Sequence, residues 1–189
     1  MFGAKLGHVL DKPLEPLAKK IRLSPNIITL TGFILNAFAA VAILFDAYSG
    51  GLLILFSGFF DALDGVVARV NNKKTAFGAF LDSTLDRYSD FFLFMAVAWL
   101  FYEQKNIAGS LLSLGGLAGA LLTSYVRARA EGLGIQCSVG LMERPERLIL
   151  LALGCISGFI FPVIAALFVL THLTVIQRIM HVYHASRQQ

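Results

Sequence analysis

The sequence predicts an all-α fold: a polytopic membrane protein of six transmembrane helices, preceded by an N-terminal interfacial amphipathic helix. Three observations lead there. First, 57% of the 189 residues are hydrophobic, 15% are charged and the mean hydropathy is +0.71. A soluble domain of this length rarely carries so much apolar side chain. Second, six apolar runs recur along the chain, most of them long enough to cross a bilayer, separated by short polar or Gly/Pro breaks. Third, Lys and Arg collect at alternate breaks, as charges on one side of a membrane do. The net charge of +4 does not point to nucleic acid, because the basic residues form no single patch interleaved with aromatics. Cys137 and Cys155 lie far apart in different settings and read as small apolar fillers, not as a disulfide framework.

Residues 1–23 carry Lys5, Lys12, Lys19, Lys20 and Arg22 among Leu and Ile, with Pro13 and Pro16 interrupting. They read as a juxtamembrane unit whose basic face meets anionic headgroups, distinct from the six-span domain of residues 24–185. Ser24, Pro25 and Asn26 supply a cap and a first-turn proline for span one, residues 27–45. That run is too long for the apolar stretch of a signal peptide, so no cleavable leader is expected. A turn at 48–51 leads into span two, 52–70; a polar loop at 71–75 holds Lys73 and Lys74; span three covers 77–101. After a turn at 102–107, span four covers 108–130, where Gly115, Gly116 and Gly119 permit close helix approach and are compatible with a homodimer. A longer loop at 131–144 ends at Pro145, which opens a short span five, 146–157. A tight apolar turn at 158–162 then makes a hairpin with span six, 163–183. Six spans put both termini on one side, and of the sixteen Lys and Arg only Lys105 falls on the other. A multi-pass protein of the cell membrane with both termini in the cytoplasm is the expectation.

Charge inside the spans is the functional signal. Asp61 and Asp64 lie three apart late in span two, and Asp82 and Asp86 four apart early in span three. Steps of three and four share a helix face, so each pair makes one acidic edge, and both edges fall at the same cytoplasmic level. Carboxylates at that depth cost a few kcal/mol each and mark a polar site. Hard oxygen donors without accompanying Cys or His suit Mg²⁺ or Mn²⁺ and not Zn²⁺. In sequence only Arg69 and Arg87 stand near enough to neutralise four carboxylates, so a metal is the expected compensation. Gly65 and Gly78 leave room for a ligand or another backbone.

The full spacing is D-x2-D-G-x2-A-R-x8-G-x3-D-x3-D, through Asp61, Asp64, Gly65, Ala68, Arg69, Gly78, Asp82 and Asp86. It resembles the signature of the CDP-alcohol phosphatidyltransferases at every fixed position. The resemblance implies a membrane enzyme that takes a CDP-activated lipid, CDP-diacylglycerol or CDP-archaeol, and passes its phosphatidyl or archaetidyl group to an alcohol with release of CMP. It implies that Asp61, Asp64, Asp82 and Asp86 bind metal, two ions in all, and that Asp86 also serves as general base. Gly65, Ala68, Arg69 and Gly78 would bind the CDP-lipid. Asn26 and Thr29 match a Pro-Asn-x-x-Thr stretch of the family; nucleotide or lipid contact accounts for them no better than capping and packing.

A second stretch bears on the acceptor. Ser124, Arg127 and Glu131 share a helix face, Arg144 and Arg147 flank Pro145, and Arg178 lies within an apolar span where an unpaired guanidinium is expensive. Converging arginines suit a second anion site; Arg129 and Arg144 suit interfacial positive charge almost as well. The pattern SYVRARAE, ERPER and a late Gln-Arg resembles the family members that act on inositol phosphate. By that resemblance Ser124, Arg127, Arg147 and Arg178 would hold the acceptor phosphate, position 127 being Arg where Lys is common. Glycerol 3-phosphate is the alternative acceptor, since it too needs an arginine-lined pocket. A divalent-cation transporter is the alternative outside the family, but its carboxylates should then string across the bilayer instead of gathering at one level.

Overall fold

The structure is a computed structural model and describes residues 13–21 and 23–187. Among these, every regular element is helical. Residues 13–20 form α1, followed by α2 (Pro25–Phe45), α3 (Ala47–Val70), α4 (Ala76–Glu103), α5 (Ile107–Gly132), α6 (Arg144–Ser157) and α7 (Ile160–Ser186). A helix thus covers part of the expected N-terminal interfacial segment, while residues 1–12, on which the rest of that expectation falls, lie outside the described part. Ala18 of α1 is fully buried against Ile28, Leu63, Val66 and Val67, and Asn71 donates to its carbonyl at 3.1 Å.

Two turns differ from the sequence expectation. The Gly-Gly pair does not make a turn at 48–51: Asp46 alone separates α2 from α3. Its carboxylate caps α3 by accepting from the Tyr48 and Ser49 amides at 3.2 and 3.0 Å. Hydrogen bonds from the Ser49 hydroxyl and amide, then from the Tyr48 amide, hold the Asp46 carboxyl below the usual carboxylate range. Gly51 stays helical and serves packing, since a Cβ there would stand 2.8 Å from the Ala152 carbonyl of α6. At the other end α7 begins at Ile160, before Pro162, because proline fits the first turn of a helix.

The helices close into a ring. In spatial order it runs α3, α2, α4, α5, α7, α6 and back to α3. The apolar core fills the half of the ring remote from the carboxylates, with Ile43, Ile54, Phe94, Val97, Leu151, Ile164 and Leu167 fully or almost fully buried. Glycines of α5 face inward: a Cβ on Gly116 would stand 2.8 Å from the Phe94 ring, and Gly115 abuts Phe168. The small-residue cluster thus serves packing within the chain. Large apolar side chains such as Phe38, Phe45, Trp99, Leu111 and Ile176 point outward, a surface suited to lipid and not to water.

Among the described residues four helices, α2, α3, α5 and α7, are long and apolar enough to cross a membrane. The six expected spans reduce to four by this measure. α4 has the length, but Asp82, Asp86, Arg87 and Asp90 crowd it with charge, and α6 has only 14 residues where about 20 are needed.

Candidate active site

The end of the ring opposite the core is built from the last turns of α3, the first turns of α4, and the start of α6. Asp61 and Asp64 reach it from α3 and Asp82 and Asp86 from α4, and the four charges act on one another. Thr75 caps α4 with a hydrogen bond from the Gly78 amide at 2.9 Å, which fixes where the second carboxylate pair begins. A Cβ on Gly78 would stand 3.0 Å from Asn26 Oδ1, so its room is used by the first turn of α2. At Gly65 the room goes to the Arg69 guanidinium, 3.2 Å from where a Cβ would be.

Two clefts flank the carboxylates. One, of about 230 Å³, is lined by Asp64, Gly65, Ala68, Arg69, Gly78 and Asp82, with Asn26, Thr29, Lys73 and Lys74 around it. The other, of about 310 Å³, is lined by Asp86, Ser124, Arg127, Arg147 and Arg178, with Arg87, Thr123, Glu143 and Arg144 completing its wall. The residues assigned from sequence to two ligands are thus partitioned between two cavities, and Asp61 lies on the wall of neither.

The expectation that only Arg69 and Arg87 could neutralise the acidic cluster is overturned. Arg144, more than fifty residues further along the chain, places Nη1 2.6 Å from Asp61 Oδ2 and 2.9 Å from Asp86 Oδ1. Arg87 Nη1 is 3.6 Å from Asp86 Oδ2. Among the described residues no three acidic, His or Cys side chains already converge on one metal-sized point. The donor set nevertheless fits a hard divalent cation. Asp64 Oδ2 is buried without a hydrogen-bond partner, and four carboxylates outnumber the guanidinium between them.

In the second cleft the arginines are held differently. Arg178 is 2% exposed, and Nη1 and Nε donate to the carbonyls of Thr123 at 2.6 Å and Val139 at 2.8 Å. Its approach to the 133–143 loop depends on Gly140, whose φ of 130° suits glycine and whose Cβ would stand 3.4 Å from Arg178 Nε. Arg147 pairs with Asp90 at 2.6 Å, both 2% exposed. Arg127, though exposed, donates from Nε to Glu131 at 2.9 Å as the shared helix face implies; Arg129 is exposed too and does not line the cleft. Asp90 and Glu143 belong to this centre and were not singled out from sequence as site residues, whereas Arg144, weighed there as part of an anion site or as interfacial charge, instead pairs with the carboxylates. Asp90 had a local signal, one helical turn beyond Asp86; Glu143 had none, and nothing local gave the partners of Arg144, which are remote in sequence.

Fold and site together define a bundle of apolar helices built around a charged centre with an acidic side and a basic side. Residues 22–185 match the family described as CDP-alcohol phosphatidyltransferase. The chain is 40% identical over 182 residues to an archaetidylinositol phosphate synthase of Methanothermobacter thermautotrophicus, covering 93% of this chain and 91% of that one. It is 37% identical over 161 residues to a phosphatidylinositol phosphate synthase of Corynebacterium glutamicum, covering 82% and 72%. Its fold superposes on the crystal structure of Mycobacterium tuberculosis phosphatidylinositol phosphate synthase with CDP-DAG bound, with a TM-score of 0.81 and 29% identity over 92% of this chain and 93% of that one. A second structure of that enzyme, in complex with manganese and citrate, matches with a TM-score of 0.79, 29% identity and 92% and 88% coverage. The chain belongs to the CDP-alcohol phosphatidyltransferase family. It is an enzyme, a transferase of phospholipid biosynthesis, and the transporter reading falls away.

Proposed function

We propose that this enzyme transfers the phosphatidyl or archaetidyl group of a CDP-activated lipid to inositol phosphate and releases CMP. The observation that carries this reading is the partition of the site: the acidic centre lies between one cleft with the motif glycines and another with Ser124, Arg127, Arg147 and Arg178. The two relatives named as inositol-phosphate-lipid synthases favour that acceptor over glycerol 3-phosphate.

Asp61, Asp64, Asp82 and Asp86 would hold two Mg²⁺ or Mn²⁺ ions, which supply charge withdrawal from the donor pyrophosphate. Arg69 binds donor phosphate, and Gly65 and Ala68 let the nucleotide lie against α3. Ser124, Arg127, Arg147 and Arg178 grip the acceptor phosphate and aim its free hydroxyl at the lipid-bearing phosphorus. Asp86, on the wall of the acceptor cleft, takes the hydroxyl proton as the new P–O bond forms and the bond to CMP breaks. We place the active site and both termini in the cytoplasm, all six helices α2–α7 in the membrane, and the N-terminal helix at its surface. We also expect two copies to associate as a homodimer.

The test is CMP release by purified protein given Mg²⁺ or Mn²⁺, CDP-diacylglycerol or CDP-archaeol, and either inositol phosphate or glycerol 3-phosphate. Turnover with inositol phosphate, abolished by chelator and restored by metal, is expected. Turnover with glycerol 3-phosphate alone would overturn the acceptor assignment.

A further inference from the structure

Two consecutive residues at the start of α6 carry opposite charges into the two halves of the site. Arg144 sends its guanidinium to the acidic side, where a single nitrogen, Nη1, spans Asp61 and Asp86 at 2.6 and 2.9 Å. Its Nε is buried with no hydrogen-bond partner, so the grip is not the two-pronged fork usual for Arg and carboxylate. One cationic atom thus supplies positive charge to two carboxylates, from different helices, that would hold a metal. Glu143, the N-cap of α6, sends its carboxylate to the basic side. Its Oε1 lies 3.5 Å from Arg127 Nη1 and 3.7 Å from Arg178 Nη2, and the side chain is 12% exposed. An anion between two guanidinium groups is what an acceptor phosphate would be there. These distances are longer than the roughly 2.7–2.9 Å of a charge-assisted hydrogen bond, so the carboxylate is held loosely and a phosphate would bind better.

We propose that Glu143 and Arg144 are internal stand-ins for the two charged ligands: Arg144 occupies the cation position at Asp61 and Asp86, Glu143 occupies the anion position at Arg127 and Arg178, and each ligand displaces its own stand-in. The inference rests on the functional reading above and adds two residues that it does not use. Each side of the site thereby borrows a neutralising charge from the same helix start, which offsets part of the cost of grouping like charges there. The arrangement also bears on the reaction. While Arg144 holds Asp86 Oδ1, the other carboxylate oxygen, Oδ2, 3.6 Å from Arg87 Nη1, is the one left to take a proton from the acceptor.

The test uses full-length protein in detergent, freed of metal. Free Mn²⁺ is followed by electron paramagnetic resonance during titration with MnCl2. Arg144→Gln removes the competing cation and should tighten Mn²⁺ binding by about tenfold, a modest share of the coupling measured for close charge pairs. Arg87→Gln removes an equal charge beside Asp86 that does not bridge, and should tighten it by less than about threefold, as expected of a partly exposed pair. Arg144→Lys keeps the charge and should fall between wild type and Arg144→Gln; it carries the measurement if the Gln variant does not fold without metal. Melting in chelator should be lowered in Arg144→Gln and recover with MnCl2, since the metal then replaces the lost charge. In chelator, Glu143→Gln should bind inorganic phosphate more tightly than wild type. An Arg144→Gln protein that binds Mn²⁺ no better than Arg87→Gln, or a Glu143→Gln protein that binds phosphate no better than wild type, overturns the proposal while a wild type that binds Mn²⁺ and releases CMP leaves the catalytic reading standing. A wild type that binds no Mn²⁺ and releases no CMP removes both.

Discussion

Asp86 is contested by two guanidinium groups, Arg144 at 2.9 Å and Arg87 at 3.6 Å, and faces the cleft that holds the other arginines. If it is the base, Asp86→Asn should lower turnover by about 10²–10⁴-fold, the usual worth of a positioned general base, while CDP-lipid binding survives. CMP release and equilibrium binding measured on one preparation decide it, and undiminished turnover would take the base role from Asp86. Asp90 makes a different demand. Its pair with Arg147 is almost fully buried, so Asp90→Asn leaves a guanidinium without its counter-charge, a loss of about 3–5 kcal/mol in comparable buried pairs. Besides lowering the melting temperature, it should raise the KM for inositol phosphate more than that for CDP-lipid, as should Arg147→Ala. Equal effects on both substrates would mean that Asp90 only supports the fold. The carboxylates were legible in the sequence because helical spacing is local, whereas their counter-charge Arg144 was not, because only ring closure brings α6 beside α3.

At the scale of the element, the lengths of α2, α5 and α7 follow from apolar runs, and the loop at 71–75 falls where its polar residues put it. The start of α3 does not. Tyr48 to Gly51 carries turn-forming residues, yet the chain stays helical because Asp46 caps it and Gly51 is needed for contact with α6. A glycine read as a turn signal was instead a packing signal, and sequence alone does not separate the two. Gly51→Ala tests this. Its Cβ would press on the Ala152 carbonyl at 2.8 Å and on Cys155 Cβ at 3.0 Å, and backbone cannot yield as a side-chain tip can. Overpacking of this kind costs about 1–3 kcal/mol, so melting in detergent should drop by several degrees. At Gly58, where a Cβ meets nothing within 4 Å, the same change should leave melting unaltered or raised. Were position 51 a flexible turn, the two variants would behave alike.

The whole molecule divides into an apolar half that holds the ring together and a charged half that the ring exposes to its ligands. Two of its six ring helices fail the simple criteria for a span for reasons tied to that division: α4 carries the site's carboxylates, and α6 is short because it starts within the site. Both still close the ring, α4 between α2 and α5 and α6 between α7 and α3, which supports the proposed placement of all six helices in the membrane. That geometry places the 71–75 loop and the Lys105 turn at opposite ends of α4, which at about 1.5 Å per residue is long enough to cross the hydrocarbon layer. Lys73→Cys and Lys105→Cys should therefore report opposite sides. In intact cells an impermeant maleimide should label Lys105→Cys alone, and Lys73→Cys should react only after the membrane is opened. Cys137 and Cys155 are buried and give little background. Labelling of both positions in intact cells, or of neither, would mean that α4 does not cross, and the carboxylates would then lie on a surface instead of at the mouth of a membrane-embedded cleft.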